Sequence, residues 1–303
     1  MVRYMNFKLI KNEKINASFR AKKIHFIEIQ VKDLKSIDNE LADKFIRDIL
    51  YANFNLDFTN ETWKDIKEII QDKLRKITKY PKGFLKNDGT IIPLIANYAL
   101  EDIFDISLLS YSEDITDIEI VPKGFDSIFL DKGNSIFLCE YKSSIAKLNE
   151  EKIATLFIEG YKSIFCKEST IISKISTIKA RLNKKEKNIK EIIIKNLNKL
   201  ISQRHSLEKL TEDTDDIKFN ICCVTKSTTK IDTNKIVKNI ENRFITKDYC
   251  LVRKAEHCKE FEFCNKLENI KVVNIIVIKI PDDFKIENFY ESIIENIEDR
   301  INE

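Results

Sequence analysis

Two apolar runs joined by a short polar turn constrain the fold of this chain more than any other feature. The first run covers residues 125–130, the second covers residues 135–141, and the connecting sequence is Asp-Lys-Gly-Asn. Apolar runs of this length around a tight glycine-containing turn predict two antiparallel strands joined as a β-hairpin. The chain is therefore expected to contain a sheet that includes this hairpin.

The segments around the hairpin alternate between helical and strand patterns. Apolar residues recur at helical spacing over residues 94–109 and again over residues 149–165. Short strands of the buried type are predicted at residues 219–224 and 272–280, and a weaker one at residues 249–252. This pattern predicts the α/β class, with a mixed central sheet flanked by helices.

The sequence before residue 90 has its own set of elements. A half-buried strand is predicted at residues 24–32, and helices are predicted to begin at Asp38 and Asn60. Turn-forming residues follow at positions 80–83 and 87–89. These features predict an N-terminal α+β segment at residues 1–90 and a second domain at residues 91–303.

Charge is distributed unevenly along the chain, although the formal net charge is only +3. Residues 94–126 contain eight acidic side chains and one lysine, whereas residues 174–209 contain eleven basic and three acidic ones. The basic stretch also has helical periodicity and predicts a basic helical insertion near residues 174–210. Its lysine face is expected to follow a phosphate backbone, to meet an acidic partner, or simply to be solvated.

Composition excludes several classes of protein. No segment of the 303 residues approaches the roughly 20 consecutive apolar residues of a membrane-spanning helix, and none near the start resembles a signal peptide. We therefore expect a cytoplasmic protein without a membrane partner. Seven irregularly spaced cysteines predict reduced thiols rather than disulfides. A late cluster lacks the paired C-x-x-C spacing of zinc sites and predicts buried thiols instead; it comprises Cys250, His257, Cys258 and Cys264.

Three charged residues stand at one end of the predicted hairpin. Asp126 begins the first strand, and Glu140 and Lys142 end the second, on one face because strand side chains alternate. Two carboxylates brought together in this way repel each other unless a cation lies between them. Mg²⁺ suits such a site, with Mn²⁺ as a substitute and the Tyr141 carbonyl as a further ligand, while Lys142 would orient water. The alternative is that Asp126 caps a strand and that Glu140 and Lys142 form a solvated cross-strand pair.

Over residues 93–226 the sequence resembles the PD-(D/E)xK nuclease superfamily, through Gly124-Phe125-Asp126 and Glu140-Tyr141-Lys142. The resemblance implies a restriction-endonuclease-like fold and metal-dependent phosphodiester hydrolysis by Asp126, Glu140 and Lys142. It also implies an additional acid from the first core helix, for which Glu101 is the candidate and Asp102 and Asp105 are alternatives. The usual proline is represented only by Pro122, four positions before the aspartate, so the local turn departs from the pattern of the superfamily.

Length and layout show a closer resemblance to the HamA family, the nuclease subunits of Hachiman antiphage defence systems. The resemblance implies a DNA-degrading effector that is held inactive by a helicase subunit, HamB, until phage infection. The alternative is a catalytically silent subunit that binds DNA or the helicase through a nuclease-like fold. Because the catalytic residue types are all present, the active enzyme is the preferred interpretation.

Overall fold

A mixed sheet of seven strands forms the centre of the computed structural model. The strand order across the sheet is β1-β2-β7-β6-β5-β4-β3. In chain order the strands are β1 Phe7–Ile15, β2 Lys23–Val31, β3 Ser107–Tyr111, β4 Ser127–Leu130, β5 Ile136–Ser144, β6 Ile217–Lys226 and β7 Val272–Ile280. The structure describes residues 6–15, 23–32, 41–42, 44–46, 60–79, 95–111, 126–133, 135–144, 149–165, 191, 194–195, 217–226, 230–245 and 272–302.

Parallel pairing in the middle of the sheet explains why the central strands are the most apolar. Strands β2, β7, β6 and β5 are parallel neighbours, whereas β1, β4 and β3 pair in antiparallel fashion at the two sides. A central parallel strand is covered on both faces and reads as a nearly continuous apolar run, as β7 does apart from Asn274 and Lys279. The predicted hairpin is confirmed by the β4–β5 pairing, and the Asp131 N–H donates across its turn to the Ser135 carbonyl over 3.1 Å.

Helices cover both faces of the sheet, as the α/β class predicts. The helices with defined bounds are α1 Asn60–Lys79, α2 Glu150–Phe165, α3 Thr233–Ile245 and α4 Ile286–Asn302. Residues 95–104 are also helical, and we call them the 95–104 helix. Helices α1 and α4 pack against each other, and so do α2 and α3. None of the helices in the described part of the chain is long and apolar enough to cross a membrane.

Strand alternation assigns the two helical layers to opposite faces. One buried cluster contains Phe137 and Tyr141 of β5 together with Ala96 of the 95–104 helix and Phe289 of α4. Phe45 packs edge-on against Phe289, with ring centroids 4.8 Å apart. Burying each such aromatic ring contributes about 2–3 kcal/mol, which favours this layered arrangement. The even-numbered side chains of β5 face the opposite layer, which contains α2.

The bounds of one predicted helix require correction, and the sequence pattern does not predict strand β1. The helix predicted over residues 94–109 is helical in the described part only to residue 104, because Asp105 adopts φ 52° and β3 begins at Ser107. A left-handed residue ends a helix, and pairing with β4 then favours the extended backbone. Strand β1 was not predicted, because most of its side chains are exposed at the edge of the sheet and lack an apolar alternation.

The sequence on both sides of the predicted boundary near residue 90 contributes to one sheet. Strand β2 pairs with β7 over eight residues, and a buried ion pair of 2.7 Å joins Glu28 to Lys279 on these strands. The two predicted segments therefore share a core, which the sequence pattern alone did not indicate.

Several predicted features lie outside the described residues. They are the strand at 249–252, the late cysteine and histidine cluster, and the basic insertion, of which only residues 191, 194 and 195 are described, as helical. Among the described cysteines, Cys139, Cys222 and Cys223 are free and buried.

Candidate active site

Strand pairing brings Asp126 and Glu140 together on one face of the hairpin. Ser127 pairs with Cys139, so the preceding Asp126 lies opposite Glu140 where β4 begins. Residues that are opposite each other in an antiparallel pair project from the same face. The Tyr141 N–H donates to Asp126 Oδ2 over 2.6 Å, which fixes the aspartate against β5. The two predicted acids are thus neighbours.

Lys142 lies two residues beyond Glu140, on the same face. Its Nζ donates to Glu140 Oε1 over 2.7 Å, and the Glu140 side chain is only 3% exposed whereas that of Lys142 is 27% exposed. Burial by itself lowers the pKa of Lys142, but the charge and hydrogen bond of Glu140, with the charges of Asp126 and Glu159, outweigh it and raise the pKa. Lys142 is therefore an ammonium in this arrangement, and it neutralises a carboxylate that is almost completely buried.

A buried polar network supports the site from the opposite face of the sheet. Asn97 Oδ1, on the 95–104 helix, accepts hydrogen bonds from Ser127 Oγ over 2.6 Å and from the Tyr141 hydroxyl over 2.5 Å. Burial raises the pKa of the Tyr141 phenol well above its usual value, so the hydroxyl stays protonated and can donate. The network connects one helix to both strands of the hairpin, at the residues that directly follow Asp126 and Glu140.

Sequence reasoning did not identify Asn97 or Ser127 as part of the site. Both side chains are completely buried. The available signal was a polar residue within an apolar segment: Asn97 follows Ile95 and Ala96, and Ser127 stands in the first apolar run of the hairpin. Buried polar side chains in such positions require hydrogen-bond partners, and this requirement could have identified them.

Helix α2 lies directly over the face that carries Glu140 and Lys142. A Cβ atom added at Gly160 would lie 2.6 Å from Ile221 Cγ2 and 3.6 Å from Lys142 Cγ. Cys223, which pairs with Lys142 across β5 and β6, donates its thiol to the Ile153 carbonyl over 3.8 Å. Burial, aided by the charge of Glu159, raises the pKa of Cys223 to about 12. This thiol is therefore a packing group rather than a nucleophile.

The additional acid that was expected from the first core helix has a different partner in the structure. Glu101 forms an ion pair with Lys44 Nζ at 2.9 Å. The same Nζ lies 5.5 Å from the centre of the Tyr98 ring. Of the alternatives, Asp105 pairs with Lys132, and Asp102 is buried. The helix that carries Glu101 and Asp102 packs on the Tyr141 face of β5, opposite the Glu140 face. A role for Glu101 stays a prediction.

The oxygen ligands at the site suit Mg²⁺, which keeps several water ligands, better than they suit a metal whose ligands all come from the protein. Among the described residues no group of three His, Cys, Asp or Glu side chains is arranged to hold a metal. Mg²⁺ is commonly held by one or two carboxylates, with water and substrate phosphate completing six oxygens. Asp126 and Glu140 provide that number. The Tyr141 carbonyl lies on the same side of the strand as its N–H, which faces Asp126.

Comparisons with known proteins found no match. No family model matches the chain, and searches of curated proteins and of solved structures gave no significant match either. The function is therefore inferred from the residues and geometry of this chain.

Proposed function

We propose that this protein is a Mg²⁺-dependent deoxyribonuclease that hydrolyses phosphodiester bonds at the Asp126, Glu140 and Lys142 site. One observation carries the proposal: two carboxylates on adjoining strands and an ammonium in contact with one of them share a single face. Phosphodiester hydrolysis needs acids to hold a divalent cation and a positive charge near the attacked phosphate. An ion pair with a purely structural role would need only one acid, whereas this site has two.

The protein residues have separate roles in this proposal. Asp126 and Glu140, with the Tyr141 carbonyl, would hold Mg²⁺, which when bound lowers the pKa of water and polarises the phosphoryl oxygen. Lys142 places its charge beside Glu140 and orients water or a phosphate oxygen with its remaining N–H donors. The Tyr141 N–H restrains Asp126, and the Asn97 network restrains Tyr141.

The order of elements also supports the nuclease proposal. The 95–104 helix is followed by β3, β4, β5, α2 and β6, with Asp126 immediately before β4 and the Glu-x-Lys on β5. This is the order of helix, strands, helix and strand expected for a restriction-endonuclease-like domain. By the same resemblance we propose a HamA-like role, in which a HamB-like helicase subunit restrains the nuclease and DNA is the substrate.

Lys142→Gln is the sharpest single change with which to test the proposal. Glutamine retains a hydrogen bond to Glu140 and removes the charge, so we expect DNA cleavage in Mg²⁺ to fall about 100-fold or more. The matched control is Lys218→Gln, because Lys218 also pairs with an acid, Asp131 at 3.4 Å, and has a side chain 30% exposed. Its cleavage rate should remain within about twofold of the wild type.

Cleavage of plasmid and of single-stranded DNA would be followed with Mg²⁺ or Mn²⁺, with and without any helicase encoded beside the gene. Equal loss in both lysine variants would contradict the assignment of the site. Activity that appears only under control of the helicase would support the HamA-like role. Absence of cleavage under every condition would contradict the proposed enzyme and favour the alternative, a subunit that binds DNA or the helicase without cutting.

A further inference from the structure

The face of the sheet that carries Lys142 becomes polar at the carboxyl ends of the parallel strands. On β6 the side chains of this face are apolar as far as Cys223, and the next one along the strand is Thr225. On β7 Lys279 pairs in register with Thr225. This row lies one step beyond the row in which Cys223 pairs with Lys142. In open α/β sheets ligands bind beyond the carboxyl ends of the parallel strands, so the row lies where a ligand is expected.

The hydroxyl of Thr225 is buried without a hydrogen-bond partner. The residue is only 2% exposed, and its Oγ1 has no partner among the described residues. A buried hydroxyl that makes no hydrogen bond destabilises the folded state, whereas a valine side chain of the same shape would not. The hydroxyl is therefore placed for a partner that is not part of this chain.

Lys279 supplies a positive charge beside this hydroxyl. Its Nζ forms an ion pair with Glu28 at 2.7 Å, and both side chains are almost completely buried. Glu28 belongs to β2 and Thr225 to β6, so the carboxylate and the hydroxyl flank β7 from opposite sides. The backbones of Thr225 and Lys279 are about 5 Å apart, as in any pair of adjoining strands. A hydroxyl donor and an ammonium at this separation suit an anion with several oxygens, such as phosphate.

We propose that Thr225 and Lys279 form a phosphate-binding subsite beside the candidate active site. Thr225 Oγ1 donates to a phosphate oxygen, and the Lys279 ammonium balances the negative charge. The strand spacing and register put the Cα atoms of Thr225 and Lys142 about 8 Å apart, so the subsite takes a phosphate close to the one that is cut. That this phosphate belongs to a DNA strand rests on the proposed nuclease function, whereas the anion site does not.

Thr225→Val tests whether the hydroxyl lacks a partner within the chain. In phosphate-free buffer this variant should melt about 1–4 °C above the wild type, because an unpaired buried hydroxyl is removed. The matched control is Thr233→Val, which should melt below the wild type. Thr233 is also buried, but its hydroxyl accepts a hydrogen bond from Lys11 Nζ over 3.1 Å. A lower melting temperature for Thr225→Val would show that the hydroxyl is already bonded, and would overturn the proposal.

Inorganic phosphate tests the subsite without reference to cleavage, because a ligand of the folded state raises the melting temperature with its concentration. Phosphate is compared with chloride at equal ionic strength and without divalent metal. It should raise the melting temperature of the wild type, of Thr225→Ser, which keeps the hydroxyl, and of Lys142→Gln, which leaves the subsite intact. It should have little effect on Thr225→Val. No increase in the wild type, or an equal increase in Thr225→Val, would overturn the subsite.

Cleavage kinetics with a DNA oligonucleotide distinguish a phosphate of the strand from free phosphate. If the strand occupies the subsite, Thr225→Val should raise KM about tenfold with little change in kcat, because one hydrogen bond to a charged group is lost throughout the reaction. An unchanged KM beside a phosphate effect on melting would assign the subsite to free phosphate and overturn its role in DNA binding. If the wild type cuts no DNA, the nuclease proposal fails, while melting in phosphate still decides the subsite.

Discussion

At the scale of single residues, the Asn97 side chain connects three elements behind the site through hydrogen bonds. Its Oδ1 accepts hydrogen bonds from Ser127 of β4 and from Tyr141 of β5, while the residue itself belongs to the 95–104 helix. Its Nδ2 is also buried and has no hydrogen-bond partner among the described residues. One oxygen therefore connects the helix to the strands that carry the candidate acids.

Replacement of Asn97 is expected to cost more stability than replacement of either donor. Asn97→Ala removes the acceptor that two buried hydroxyls share, and we expect the free energy of unfolding to fall by about 2–5 kcal/mol. Ser127→Ala and Tyr141→Phe each remove one hydrogen bond and should cost about 1 kcal/mol. Urea unfolding followed by circular dichroism measures all three. A cost for Asn97→Ala no larger than that of the single-donor variants would contradict the shared-acceptor arrangement.

At the scale of elements, the position of α2 depends on the absence of a side chain at Gly160. The helix approaches β6 so closely that a Cβ atom at this position would be 2.6 Å from Ile221 Cγ2. This approach also places α2 against the stem of Lys142. The separation of helix and sheet and the shape of the candidate site are thus linked through one glycine.

Gly160→Ala should displace α2 and lower the free energy of unfolding by about 1–3 kcal/mol through overpacking. The control is Gly133→Ala in the hairpin turn, where the added Cβ would lie 3.4 Å from Asp131 Oδ1 and the expected change is within about 0.5 kcal/mol. Combining Gly160→Ala with Ile221→Ala removes the clashing methyl, so the two costs should be less than additive in chemical denaturation. Full additivity would show that the contact with Ile221 is not the cause.

At the scale of the whole molecule, the N-terminal strands are part of the sheet that carries the site. Strand β2 lies between β1 and β7, and the buried Glu28 and Lys279 form an ion pair across the β2–β7 junction. Removal of β2 would expose one side of β7 and leave Lys279 buried without Glu28. An unpaired buried charge is strongly destabilising, and an exposed apolar strand edge favours aggregation.

We therefore expect a fragment of residues 91–303 not to fold by itself, although the sequence pattern predicts a boundary near residue 90. Gel filtration and circular dichroism of the fragment, compared with the full chain, would measure this. Mixing in a separately produced fragment of residues 1–90 should restore folding in part, because β1 and β2 would again pair with β7. A monomeric fragment of 91–303 with a cooperative thermal transition would show instead that the two segments are independent.

Elements with a strong local pattern were predicted correctly from the sequence by itself. The hairpin, α1, α2 and β7 follow from turn residues, helical spacing and β-branched runs, which are properties of neighbouring residues. The common face of Glu140 and Lys142 follows from strand alternation, which any strand imposes. The α/β class and the common face of these two residues were therefore available before any tertiary contact was known.

Tertiary structure decided the features that depend on residues far apart in the chain. Strand β1 exists because β2 supplies its hydrogen bonds, and the extended backbone of β3 is favoured by its pairing with β4. The 95–104 helix, which carries Glu101, packs on the Tyr141 face of β5, whereas α2 covers the face that carries Lys142. Local pattern specifies which side of a strand a residue occupies, but only the packing of layers determines what lies opposite it.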